Sequence, residues 1–309
     1  MVRFLKLLKN NWLDFLIILL IIVLNLFWLP TFSFWSLYPS KTKSFSNTQI
    51  SQFELPATPV IKLVNKPLIS ASNYILIDVD TNKVLVSQNS NTRIYPASIT
   101  KLATALTALN IYPLDEVITI DEEYVEGKVM ELKIGEKITV KSLVSALLVY
   151  SANDAAFTLA KHQQLGVTGF INQMNLLVKS YGLKNTNFVN FDGLQNENHY
   201  STVYDLSQLG RISIKNKIVK DMVKTKQLTV SSVNNNIQHE LISTNELLGV
   251  VPEVEGLKTG WTPEAKGCFI SLLNINGHYL ISVVAQSDDR FEDTKTIINW
   301  AKKNIYWQK

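Results

Sequence analysis

Residues 95–106 read YPASITKLATAL and combine the start of a buried helix with two reactive side chains. Pro96 suits the first turn of a helix, where its missing N–H is not needed. Apolar residues then recur at helical spacing, at Leu102, Ala105, Leu106 and Leu109. Because residues three apart share a helix face, the side chains of Ser98 and Lys101 can meet. The stretch predicts either a nucleophile beside its base or an ordinary helix start.

Strand-like segments lie on both sides of this helix. Residues 73–89, NYILIDVDTNKVLVSQN, contain two β-rich runs around a turn, which is typical of a hairpin. Helical patterning follows, and the C-terminal part is β-rich again before a last helix, with the runs VEGLKTGW, GCFISLLNI and HYLISVVAQS. We expect an α/β (α+β) fold in which both termini form one antiparallel sheet flanked by helices, with a mostly helical lobe inserted.

The N-terminus carries the pattern of a membrane anchor. An uncharged run at residues 15–29 follows three basic residues, Arg3, Lys6 and Lys9. About 20 apolar residues span a bilayer as a helix, and preceding positive charges favour a cytoplasmic N-terminus. No Ala-x-Ala follows the run, which favours an uncleaved transmembrane anchor over a cleaved signal peptide. We expect an anchor with a cytoplasmic basic end at 1–38, an extracytoplasmic linker at 39–69 and a folded domain at 70–309.

The composition argues against several classes of protein. The net charge is +4 and Lys and Arg are scattered, so no nucleic-acid partner is predicted. The four histidines lack the spacing of metal ligands, and we expect neither a metal nor a cofactor. Cys268, the one cysteine, lies in an apolar run and is expected to be a buried core residue.

Two further fragments give the serine–lysine pair a context. Ser-Ala-Asn at 151–153 lies in the helical region, and Lys-Thr-Gly at 258–260 lies on a β-rich run. Each fragment alone is weak, because Ser-x-x-Lys also occurs at 40–43 and Ser-x-Asn recurs elsewhere. The order and setting of the three match the active-serine signature of penicillin-binding proteins and serine β-lactamases.

The chain resembles the D-alanyl-D-alanine carboxypeptidases, the low-molecular-mass penicillin-binding proteins. From about residue 70 to the last helix, the family's blocks occur in order: YPASITKLATAL, MELKIGEKITVKSLVSALLVYSANDAA, NFVNFDGLQNENHYSTVYDLSQLGR, TNELLG and GLKTGWTPEAKGCFISL. The resemblance implies a β-lactamase/transpeptidase-like fold and a catalytic domain that binds penicillin. It also implies removal of the terminal D-alanine from peptidoglycan stem peptides through an acyl-enzyme, with β-lactams as covalent inhibitors.

The residue types suit this chemistry. Ser98 needs a base to attack an amide, and Lys101 is placed to be that base. A free lysine has a pKa near 10.4, and Lys258 is a candidate second cation that would lower the pKa of Lys101. Ser151 can relay a proton to the leaving amine, and Asn153 can hold a substrate amide.

The strand fragment suits substrate binding. Lys258 and Thr259 fit a terminal carboxylate, one by charge and one by a hydrogen bond. Gly260 would let a substrate lie against the strand edge. The resemblance implies that the backbone N–H groups of Ser98 and Trp261 hold the oxyanion.

Several interpretations stay open at this point. His199 is predicted to fix a loop, and Asp154 to be an ordinary helix residue. A D,D-endopeptidase or transpeptidase would use the same site. A β-lactamase of class A would need Glu-x-x-x-Asn, which does not occur. An inactive, membrane-held module that binds the cell wall is disfavoured by the complete motifs. The larger family members carry a further C-terminal β-domain, which we do not expect here.

Overall fold

Antiparallel strands from both ends of the domain form its central sheet. The structure is a computed structural model that describes residues 56–62 and 65–308. Its strands, in chain order, are β1 (Thr58–Ile61), β2 (Asn73–Asp78), β3 (Val84–Gln88), β4 (Val117–Thr119), β5 (Lys137–Thr139), β6 (Gln227–Ser231), β7 (Gln238–Ile242), β8 (Val254–Thr262), β9 (Lys266–Ile275), β10 (His278–Ser287) and β11 (Ile305–Gln308). The central sheet has the order β3-β2-β10-β9-β8. The prediction of one antiparallel sheet is confirmed, since β2 pairs with β10 with Ile77 opposite Ile281.

The helices lie between β3 and β8 in the chain, except for the last one. They are α1 (Lys101–Ile111), α2 (Val140–Val149), α3 (Asn153–Lys161), α4 (Gly166–Ser180), α5 (Val203–Ser213), α6 (Lys217–Met222) and α7 (Arg290–Asn304). The hairpins β4–β5 and β6–β7 accompany them. This arrangement confirms the mostly helical inserted lobe.

Each face of the sheet has its own hydrophobic core, because successive residues of a strand point to opposite faces. On β2, Ile75 and Ile77 belong to the core shared with α1 and the helical lobe. Tyr74 and Leu76 belong to the core shared with α7. Helix α7 begins where the carboxylate of Asp289 accepts hydrogen bonds from the first free backbone N–H groups.

Strand β1 lies within the segment predicted to be a linker. It pairs with β11, with Thr58 opposite Gln308 and Ile61 opposite Ile305. The folded domain thus includes residues before its predicted start at 70. Four residues show no usable periodicity, and their partner strand lies at the other end of the chain, so no sequence pattern signals this pairing.

The predicted anchor at 1–38 and most of the predicted linker at 39–69 lie outside the described residues. Within the described ranges, no helix is long and apolar enough to cross a membrane.

Candidate active site

A single 3-10 turn places Ser98 and Lys101 side by side. The turn Ala97–Thr100 follows Pro96 and continues directly into α1. Lys101 Nζ donates hydrogen bonds to Ser98 Oγ at 2.9 Å and to the backbone oxygen of Asp192 at 2.8 Å. The two side chains meet as their spacing predicts, although the turn is tighter than an α-helical one. Ala97 has a φ of 48°, a conformation that few residues other than glycine adopt.

Lys101 is fully buried, and this burial lowers its pKa to about 8. The negative charge of Asp192 acts in the opposite direction, because it favours the ammonium form. A lysine with this pKa is neutral often enough near neutral pH to accept a proton from Ser98. Burial is therefore the main cause of the shift, and the repulsion between the charges of Lys101 and Lys258 is present as well.

Ser151 and Lys258 form a second pair of hydroxyl and amine. Lys258 lies on β8, and its Nζ donates a hydrogen bond to Ser151 Oγ at 2.9 Å. Burial lowers the pKa of Lys258 well below its usual value, and nearby positive charges add to the effect. These charges are those of Lys101, Lys128 and Arg290. Ser151 has a φ of 70°, so each of the two serine segments contains a residue in the left-handed region. The structure thus brings both pairs into one buried site.

Asn153 is hydrogen-bonded to the preceding loop. Its Nδ2 donates to the backbone oxygen of Glu126 at 2.9 Å, and its backbone N–H donates to that of Lys128 at 2.7 Å. Gly127 has a φ of +70° and lies so close that a Cβ atom there would be 2.4 Å from Asn153 Nδ2. The loop is therefore fitted onto the Ser-Ala-Asn segment.

Asp154 fixes the same loop. Its buried carboxylate accepts hydrogen bonds from the backbone N–H groups of Met130 at 3.0 Å and Leu132 at 3.1 Å. Asp154 is a helix residue, as expected, and in addition its buried carboxylate holds the loop, since a buried carboxylate needs such partners. From the sequence alone, this position could not be told apart from an exposed one.

Strand β8 forms an edge of the central sheet and approaches the serine closely. A Cβ atom on Gly260 would lie 3.0 Å from Ser98 N and 3.0 Å from Ala97 Cβ. Because Gly260 has no side chain, the strand can pack on the serine turn. This packing requires a glycine whether or not a substrate is bound. Thr259 Oγ1 donates to Thr244 Oγ1 at 2.7 Å. The residue after the glycine, Trp261, is 60% exposed.

The loop at 190–194 supplies the acceptor for Lys101. Gly193 has a φ of +90°, and a Cβ atom there would lie 1.9 Å from the backbone oxygen of Ala97. Tyr124 donates a hydrogen bond to Asp192 Oδ2 at 2.8 Å. Sequence reasoning missed Asp192 and Tyr124. Since Asp192 holds the lysine through its backbone oxygen, its side-chain type gave no signal.

His199 joins this loop to the serine turn. The backbone N–H of Val189 donates to Nδ1 at 3.2 Å, so the neutral ring carries its proton on Nε2. Nε2 lies 2.8 Å from Thr100 Oγ1 and donates to it. Burial and the charge of Lys101 lower the pKa of His199 to about 4, which keeps the ring neutral. The predicted structural role of His199 is confirmed.

Cys268 on β9 and Arg290 at the start of α7 complete the surroundings of the candidate site. Cys268 is buried, and burial raises its pKa to about 11, so it is the core residue that was expected. Arg290 was missed, because it stands at the charged start of a helix far from the three motifs. It is partly buried, its Nε atom has no hydrogen-bond partner within the described ranges, and its charge lowers the pKa of Lys258.

Comparison with known proteins gives consistent matches. Residues 61–289 match the family described as D-alanyl-D-alanine carboxypeptidase. The D-alanyl-D-alanine carboxypeptidase DacF of Bacillus subtilis is 34% identical over 221 residues, which are 69% of this chain and 57% of that protein. The D-alanyl-D-alanine carboxypeptidase of Streptomyces sp. strain K15 is 32% identical over 267 residues, which are 80% of this chain and 91% of that protein.

Solved structures give the same picture for the fold. The crystal structure of the Streptomyces K15 DD-transpeptidase aligns with a TM-score of 0.73 and 32% identity, covering 77% of this chain and 98% of that one. A putative penicillin-binding protein homolog from Mycobacterium tuberculosis aligns with a TM-score of 0.72 and 26% identity, covering 77% and 93%.

Proposed function

Because this chain belongs to the D-alanyl-D-alanine carboxypeptidase family, we propose that it is a serine peptidase that removes the terminal D-alanine of peptidoglycan stem peptides. The observation that carries this proposal is the convergence of two pairs with buried amines, Ser98 with Lys101 and Ser151 with Lys258, each joined at 2.9 Å. The same site would bind β-lactams covalently, since they acylate an activated serine.

The first half of the reaction is acylation. Neutral Lys101 takes the proton of Ser98 as Oγ attacks the carbonyl carbon of the penultimate D-alanine. The oxyanion is held by the backbone N–H groups of Ser98 and Trp261. Ser151, bonded to Lys258, passes a proton to the amine of the leaving D-alanine. Water then attacks the ester and gives a proton to Ser151, while Lys101 returns the first proton to Ser98 Oγ, which releases the shortened peptide and restores both hydroxyl groups.

The terminal carboxylate needs cationic and hydroxyl partners on the leaving side of the scissile bond. Lys258 and Thr259 supply an amine and a hydroxyl, and Gly260 leaves the strand edge close to Ser98. Arg290 supports this role, because its buried Nε has no hydrogen-bond partner among the residues that the structure describes, and an anion could provide one.

A second candidate, transpeptidation, has a specific observation in its favour. The solved Streptomyces K15 structure with a TM-score of 0.73 is that of a DD-transpeptidase. The two reactions share the acyl-enzyme and differ in whether water or an amine attacks it. An endopeptidase or a β-lactamase would also use this acyl-enzyme.

We further propose that residues 1–38 anchor the protein in the cell membrane, with the catalytic domain, which includes β1, outside it. Support comes from the uncharged run at 15–29 behind three basic residues, and from a family whose substrate lies outside the membrane.

The test of the activity uses the full chain in detergent and two serine variants. Wild type is expected to release D-alanine from a defined pentapeptide and to form a fluorescent penicillin adduct at Ser98, both followed by mass spectrometry. Ser98→Ala should lose both. Ser40→Ala is the matched control, because Ser40 also begins a Ser-x-x-Lys fragment, and it should keep both. An adduct on the Ser98→Ala protein would show that another residue is the nucleophile.

A further inference from the structure

Lys128 places a positive charge beside the Ser-Ala-Asn segment. Its Nζ lies 3.9 Å from the centre of the ring of Tyr150, which is the residue before Ser151. Its backbone oxygen accepts the N–H of Asn153 at 2.7 Å, which fixes the loop at this point. The charge of Lys128 also acts on Lys258 in the buried site, where it contributes to the lowered pKa of that residue.

This ammonium group has no acidic partner within residues 56–62 and 65–308. Partial burial lowers its pKa, and no carboxylate in the described part of the chain raises it. The nearby carboxylate of Glu126 lies 3.4 Å from the Tyr124 hydroxyl instead. By contrast, Lys161 pairs with Asp121 and Glu122 at the other end of the same loop. A cation held on an aromatic face without a counter-ion is suited to an incoming anion.

The polarity of the substrate decides which anion this can be. The proposed partners of the terminal carboxylate, Lys258 and Thr259 on β8 and Arg290 at the start of α7, already supply that carboxylate with cations and a hydroxyl. A further carboxylate for Lys128 must therefore come from the part of the peptide upstream of the scissile bond.

We propose that Lys128 binds a carboxylate carried by the stem peptide upstream of D-Ala-D-Ala. This inference rests on the proposed function and names a substrate feature for it. Stem peptides can carry such a carboxylate at two places. One is the free α-carboxylate of a γ-linked D-glutamate, and the other is the side-chain carboxylate of a diaminopimelate at the third position. Amidation of the first, and lysine in place of the second, remove one negative charge each.

The experiment compares peptides that differ by one charge. For the full chain in detergent, kcat/KM is measured with the acidic pentapeptide, with its D-glutamate amidated, and with lysine at the third position. The ratio between the acidic peptide and one of the other two should fall about 5-fold in Lys128→Gln, the effect of losing a partly exposed ion pair of about 1 kcal/mol. Which of the two ratios falls identifies the carboxylate that Lys128 binds.

Two matched variants separate charge from structure. Lys128→Arg keeps the charge and is expected to keep both ratios, and so is Lys179→Gln on α4, which removes a lysine elsewhere. If Lys128→Gln slows all three peptides equally, its ratios stay constant and the inference is wrong.

A second readout does not need hydrolysis. The concentration of each peptide that halves the rate of fluorescent penicillin labelling reports peptide binding directly. If wild type releases no D-alanine from a peptide that protects it, the proposed carboxypeptidase activity fails, while the protection ratios still decide the role of Lys128. Equal protection ratios in wild type and Lys128→Gln would overturn the inference by itself.

Discussion

At Lys101, burial and a neighbouring carboxylate act on the pKa in opposite directions. Burial lowers the pKa to about 8, and the negative charge of Asp192 limits the fall. In Asp192→Asn, burial acts without this opposition, so the pKa of Lys101 should fall further. Acylation needs the neutral amine, so its rate rises with pH through this pKa, and the rise should move to lower pH in the variant.

The measurement is the rate of acylation by a penicillin from pH 5 to 10. Asp121→Asn is the control, since Asp121 pairs with Lys161 on the surface and should leave the profile in place. An Asp192→Asn profile that stays in place or moves to higher pH would contradict the assigned origin of the shift.

Thr259 offers a separate test of carboxylate recognition. Its hydroxyl donates to Thr244 in the structure and must turn to donate to a substrate carboxylate. Thr259→Val keeps the shape and removes the hydroxyl. A hydrogen bond to a charged group contributes about 1.5 to 3 kcal/mol, so kcat/KM for a free D-Ala-D-Ala end should fall roughly 10- to 150-fold.

The comparison is the same peptide with an amidated C-terminus, for which the valine variant should lose far less. If wild type cleaves the free and amidated peptides equally well, Thr259 does not recognise the carboxylate, and an endopeptidase becomes the better interpretation.

Among the structural elements, the loop at 190–194 and the serine turn fit together at a glycine. In Gly193→Ala, the new Cβ atom would lie 1.9 Å from the backbone oxygen of Ala97, which cannot move without moving Ser98. The loop must shift, and with it the acceptor of Lys101. We expect a lower melting temperature and a strongly reduced rate of acylation.

Gly182→Ala separates the clash from backbone strain. Gly182 also has a positive φ, of +75°, but no atom of the described part of the chain lies within 4 Å of the position that an added Cβ atom would take. The substitution should cost only the strain, of the order of 1 kcal/mol, and leave acylation nearly intact. Equal losses of acylation in the two variants would show that packing on Ala97 is not what Gly193 provides.

Features that depend on local spacing were predicted from the sequence, and contacts between distant parts of the chain were not. The β2–β3 hairpin and the pairing of Ser98 with Lys101 follow from local spacing, and both were predicted. Contacts made by backbone atoms produce no pattern in the sequence. The backbone oxygen of Asp192, which accepts a hydrogen bond from Lys101, is an example. The packing of Gly260 on Ser98 was also missed, because the two residues are distant in the chain. Arg290 joins the site only through the pairing of sheet strands.

For the whole molecule, the membrane anchor is the main prediction beyond the described residues. Full-length protein expressed with its N-terminus should sediment with membranes and stay there in high salt, because an apolar span of about 20 residues is not displaced by screening charges. Fractionation combined with N-terminal sequencing is the measurement. A mature chain that starts beyond residue 39 and is found in the soluble fraction would turn the anchor into a cleaved signal peptide.

The pairing of β1 with β11 has a consequence for the connectivity of the domain. Thr58 lies opposite Gln308, and neighbouring strands are about 5 Å apart. A few added residues could therefore join the two strands covalently without disturbing the central sheet. With such a link in place, circular permutation could start the chain at another site, such as the turn at 234–236 between β6 and β7. Every strand neighbour around Ser98 would then stay unchanged.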